Sequence, residues 1–159
     1  MAGDDVPPGT PFVWDLAERR LEAQMRQVDA LDTKAGALVG LHALAAGLVA
    51  SVASRLSGTS KWVAVGSILG LLVGGVLAFG AFRTEEYDRS PGPEQMWRFG
   101  ESDPADIKYR FLSTRFRALE RNRVRLMRKA RLFSWSLASF SVVALAVAAA
   151  AMIDLVRSS

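Results

Sequence analysis

The chain has no cysteine and one histidine among its 159 residues. Without cysteine there are no disulfides, thiolate nucleophiles or thiolate metal sites. One histidine cannot build a multi-histidine metal centre, and it weighs against a Ser-His-Asp triad. Neither a P-loop, a zinc-ligand spacing nor a nucleophile elbow occurs. The residues give catalysis no support, and no metal or cofactor is expected. An apolar signal-peptide core is also missing from residues 1–34, which carry seven acidic and four basic side chains. The first apolar segment therefore reads as a retained anchor.

Three stretches, 35–54, 62–82 and 132–153, lack Asp, Glu, Lys and Arg and run 20, 21 and 22 residues. A hydrocarbon core of roughly 30 Å takes about 20 helical residues. No water is available there to satisfy the backbone, so uncharged, proline-free runs of this length form helices. The expected fold is an all-α membrane protein with transmembrane helices at 35–55, 62–82 and 132–154. Little chain remains for a separate globular domain, because small domains bury too little surface to be stable alone.

Residues 83–131 carry 13 Lys/Arg against eight Asp/Glu, whereas the 55–61 connection is short and one arginine follows the third span. The positive-inside bias places the 83–131 segment in the cytosol. Three spans through the cell membrane then put the N-terminus on the cytoplasmic side and the C-terminus outside.

Residues 1–11, with Asp4, Asp5, Pro7, Pro8, Gly9 and Pro11, read as a disordered tail. An amphipathic cytosolic helix is expected over 12–34. On a helical wheel Trp14, Ala17, Leu21, Met25, Val28 and Asp32 fall within about 80° of one another. Asp15, Glu18, Glu22 and Asp29 line one flank. Asp32 is the anomaly, because a carboxylate in the apolar stripe beside a span needs a cation or hydrogen-bond donor.

Residues 84–103 contain Ser90-Pro91-Gly92-Pro93 and are expected to form a cytosolic loop. Asp103-Pro104-Ala105-Asp106 then reads as a helix start: an N-cap acceptor, proline at the first helical position, and a carboxylate in the first turn. Neither proline nor glycine follows Pro104. One helix of about 50 residues can run from the basic 104–131 segment through the third span, with roughly 40 Å of it in the cytosol. Leu112, Phe116, Leu119, Leu126, Met127 and Ala130 share one face of this helix. Arg110, Arg117, Arg121 and Arg128 lie within about 40° on the opposite face, and Arg123 sits inside the apolar stripe. Matching the two cytosolic helices by depth sets Asp32 nearest Arg128 and Lys129, and Arg123 opposite residues 25–29. The net charges, −3 for 1–34 and +5 for 83–131, favour pairing. A helical stalk is expected whose seam holds charge pairs drawn from Asp29, Asp32, Lys34, Arg123 and Lys129.

Several motifs have two readings. Gly66, Gly70, Gly74 and Ala78 repeat every fourth residue in span two, and span one holds Gly36, Gly40, Ala43 and Gly47. Such stripes let helix backbones approach closely, either within one chain or in a homo-oligomer. His42 lies within span one, as a satisfied polar residue or as a proton relay. Trp62, Trp97 and Trp135 lie near expected interfaces, where indoles anchor. Met96-Trp97-Arg98-Phe99 either anchors at lipid or stacks a pyrimidine ring while arginines take a phosphate. The arginine face is open to anionic lipid, a phosphorylated ligand or water alone.

Val28-Asp29-Ala30-Leu31-Asp32-Thr33-Lys34-Ala35-Gly36-Ala37-Leu38, leading directly into a span, resembles the membrane effectors of Pycsar antiphage systems. Those effectors share an Asp-x-Lys-Ala approach to the first span, a second span, a cytosolic connection, and a Lys-centred basic segment leading into the last span. Arg128-Lys129-Ala130-Arg131 looks like that segment, with Ala130 where an aromatic residue is expected. The likeness in layout covers residues from about 14 to 156.

The resemblance implies an effector that is silent until phage infection. A partner pyrimidine cyclase then makes cyclic CMP or cyclic UMP, and the effector impairs the cell membrane, stopping phage propagation by abortive infection. It implies no enzyme activity and no nucleic acid polymer as partner. No separate cyclic-nucleotide-binding domain is visible, so Trp97, Arg110, Arg117 and Arg121 are the candidate nucleotide or phosphate contacts. The signal otherwise arrives through a partner protein. Two other readings stay open: a constitutive small membrane subunit or assembly factor, and a related effector answering another nucleotide messenger.

Overall fold

The computed structural model describes residues 6–53, 58–83, 87–88 and 103–158, without the side chains of 59, 154, 155, 157 and 158. Part of the expected tail (1–5), most of the 84–103 loop and the Trp97 cluster lie outside the described residues. Within them the chain is helical: α1 spans Thr10–Ala53, α2 Gly58–Phe82 and α3 Pro104–Ser158. All three are long and apolar enough to cross a membrane.

Each helix start has a local cause. Pro7, Pro8 and Gly9 make a turn in which the Thr10 N–H donates to the Pro7 carbonyl at 2.9 Å. Helix α1 then continues without a break through the 12–34 and 35–53 segments. Gly58 opens α2 with φ of +61°, a conformation that strains any residue with a Cβ. Helix α2 thus begins four residues ahead of the uncharged run. At α3, Asp103 accepts the Ala105 N–H at 2.8 Å, Pro104 occupies the first helical position, and Asp106 lies in the first turn. With no glycine or proline beyond, α3 continues for 55 residues.

The chain divides into two compact units. One comprises Met1–Asp29 and Glu85–Met127. Its core is Ala17 and Leu21 of α1 against Leu119 of α3, with Met25 packed on them. The α3 face differs from the wheel expectation. Ala118, Leu119 and Asn122 are buried, while Phe116 and Met127 stay about half exposed. Arg123, expected inside the apolar stripe, points outward with 66% of its side chain exposed. The small Ala118 permits close helix approach, and buried Asn122 has a polar partner, so turning α3 this way keeps the Arg123 guanidinium out of the core.

The other unit comprises Ala30–Thr84 and Arg128–Ser159. Along α2, Ala64, Ser67, Leu71, Gly74, Ala78 and Ala81 are buried at alternating three- and four-residue steps, one face of a helix. Two α3 serines cross to the α2 backbone: Ser136 Oγ donates to Gly74 O at 2.7 Å and Ser139 Oγ to Gly70 O at 2.9 Å. The glycines explain how the backbones come so close. A Cβ on Gly70 would lie 2.7 Å from Val143, and one on Gly74 would lie 2.3 Å from His42 Nε2. Gly40, Gly47 and Gly66 meet nothing within 4 Å, so the stripes divide between packing inside the chain and outward faces. Leu44, Val76, Trp62, Trp135 and Leu145 also point outward, where acyl chains would cover them.

Gly74→Ala should lower stability by about 1–3 kcal/mol, because the added methyl overlaps a packed imidazole. Gly66→Ala, at an open position, should change it by no more than about 0.5 kcal/mol. Thermal unfolding of both variants in detergent checks this; equal melting temperatures would refute the close contact.

Candidate functional site

The polar side chains of the two units form separate groups. In the second unit, Lys129 of α3 is 2% exposed and its Nζ donates to Asp32 Oδ1 of α1 at 2.8 Å. Asp32 keeps about a quarter of its side chain exposed. An ammonium taken from water costs several kcal/mol, which only a well-placed anion offsets. Asp29 and Lys34 are exposed on α1, outside this pair. His42, 2% exposed, donates from Nδ1 to the Leu38 carbonyl at 2.8 Å and meets the Phe140 ring edge-on at 5.3 Å. Its Nε2 is buried without a hydrogen-bond partner.

In the first unit the arginine row is already engaged by carboxylates. Arg110 pairs with Asp106 one turn back at 2.9 Å, and Arg121 pairs with Asp88. Arg117 is exposed, and Trp97 lies outside the described residues. A phosphate on this row would have to compete with Asp106 and Asp88. Arg123 is not opposed to residues 25–29 by a charge pair; its contact is Glu120 of its own helix at 3.9 Å.

Three contacts went unseen in the sequence. Asn122, 1% exposed, accepts the Asp88 N–H at 3.0 Å and donates Nδ2 to the Asp88 carbonyl at 2.9 Å. Arg115 lies 4.9 Å over the Trp14 ring and 3.4 Å from Glu18. Gln24 Nε2 donates to the Leu119 carbonyl at 3.2 Å. A lone Asn in a strongly basic helix was the available signal for the first.

Two grooves flank this helix pair. One, of about 460 Å³, is lined by Glu18, Leu21, Glu22, Met25, Arg26 and Arg115. The other, of about 350 Å³, lies between Arg20, Ala23, Gln24 and Gln27 of α1 and Phe116, Leu119, Glu120 and Arg123 of α3.

Residues 16–155 match the family profile of the Pycsar effector protein domain. The chain belongs to the Pycsar effector family. The match takes in nearly all of α1, the whole of α2 and α3 as far as residue 155. No curated protein and no solved structure matches the chain. As a Pycsar effector with three membrane-length helices, it is a multi-pass membrane protein that serves antiphage defence as an effector.

Asp32→Asn strands the Lys129 ammonium and should cost about 3 kcal/mol of stability. The double variant Asp32→Asn/Lys129→Met should recover most of that loss. Denaturant titration of the three proteins in detergent measures it, and three equal midpoints would remove the pair from any structural role.

Proposed function

We propose that this Pycsar effector is a silent membrane protein converted by a cyclic pyrimidine nucleotide, cyclic CMP or cyclic UMP, into an agent of membrane impairment. The nucleotide comes from a partner pyrimidine cyclase during infection, and loss of the membrane barrier stops phage propagation by abortive infection. Family membership over residues 16–155 carries this reading. The charge distribution supports an N-terminus and a basic 83–131 segment on the cytoplasmic side, where such a nucleotide would be made. Outward-facing Gly40 and Gly47 support assembly of several chains in the bilayer.

The mechanism needs an element with two states of similar energy, one of which the ligand favours. The Lys129–Asp32 pair suits that role. It holds α1 to α3 beside two uncharged runs, and opening it lets both ends hydrate. The His42 imidazole wedged against Gly74 and the serine bonds to Gly70 and Gly74 would reclose around one packing only.

In cells expressing the protein, dye-reported membrane potential should collapse on supply of cyclic CMP or cyclic UMP and hold without them. Asp32→Asn should shift the nucleotide dose required. Unchanged potential with either nucleotide, at verified membrane expression, would favour a constitutive subunit or a different messenger.

A further inference from the structure

The second groove between α1 and α3 has the chemistry of a nucleotide site. Two guanidiniums, Arg20 and Arg123, stand on it from opposite helices. Among the described residues Arg20 makes no ion pair, and Arg123 has only a 3.9 Å contact to Glu120 in which both side chains are about two-thirds exposed. An exposed pair at that distance contributes little, so an anion that bridges both arginines displaces it readily. Phe116 lies on the same groove with 47% of its surface exposed, a large apolar ring unaccounted for by packing.

The amides add the second half. Gln24 lines the groove and ties it to α3, its Nε2 donating to the Leu119 carbonyl at 3.2 Å, while its Oε1 is buried. Gln27, exposed one turn further along α1, offers a donor and an acceptor that can rotate to suit. A volume of about 350 Å³ holds one small nucleotide.

We propose that the groove between Arg20, Gln24 and Gln27 of α1 and Phe116 and Arg123 of α3 binds the cyclic pyrimidine mononucleotide. The arginines take the cyclic phosphate monoanion from two sides. The phenylalanine stacks the base, and the exposed Gln27 amide meets its edge, its oxygen accepting from the 4-amino group of cytosine or the N3–H of uracil. This assignment rests on the proposed function and moves the ligand away from the row Arg110, Arg117 and Arg121, where Asp106 and Asp88 already hold two of the three. The ligand joins α1 to α3, which is how binding would register in both helices at once.

Titration calorimetry of the full-length protein in nonionic detergent, with cyclic CMP and cyclic UMP, tests it. Arg20→Ala and Arg123→Ala should each weaken binding by about tenfold. Phe116→Leu should weaken it by about fivefold or more, whereas Arg117→Ala should stay within about twofold. All these side chains are exposed, and unchanged helicity by circular dichroism separates a lost contact from a lost fold. Wild-type binding that the groove variants leave intact would overturn the site while the proposed function stands. No wild-type binding to either nucleotide would overturn both. A phospholipid headgroup offers the same phosphate. If the groove variants reduced only association with phosphatidylglycerol nanodiscs, leaving nucleotide binding intact, the groove would be a lipid contact instead.

Discussion

A buried ammonium has to be matched by an anion, and Lys129 with Asp32 meets that condition at 2.8 Å. That single requirement fixes which side of α3 faces inward within the unit that holds the pair. Once Lys129 points in, Ser136 and Val143, seven and fourteen positions on, share its face. All three are buried. In the other unit α3 buries Asn122 and nearly buries Arg115, seven residues apart. The buried side of α3 in each unit is therefore partly polar, and each polar member has a named contact: Trp14 and Glu18, Asp88, Asp32, and the Gly74 carbonyl.

A polar seam of this kind trades stability for specificity. An apolar stripe tolerates small rotations and slips, because one methyl replaces another at little cost. A slip here would separate an ion pair, an asparagine clamp and a serine–carbonyl bond, leaving buried groups unsatisfied. The closest approach between helices obeys the same logic, since Gly70 and Gly74 admit the serines only at one depth.

Much of the fold was legible in the residues for simple reasons. Missing charges over three runs left no alternative to spanning helices, and the Asp103-Pro104 start carries its own capping chemistry. The family likeness rested on few letters around residues 28–38 and 128–131. Asp32 stood out because a carboxylate in an apolar stripe demands a partner. Its neighbours across the seam included both Arg128 and Lys129, and wheel geometry alone did not choose between them. Phe116, Met127 and Arg123 were misplaced because the wheel weighs apolar residues and has no term for an asparagine or lysine that finds a buried partner.

Sequence alone determined the three membrane-length helices among the described residues and the basic segment leading into the last. Those properties follow from local composition, which each segment carries wherever it is placed. The rotation of α3, the choice of Lys129 over Arg123 for the interior, the Asn122 clamp on Asp88 and the amide-lined groove were decided only by tertiary structure. Each depends on a partner distant in the chain, 97 residues away for Asp32 and Lys129. Burial of a polar group is settled by whether that partner arrives, and one helix read by itself does not contain the answer.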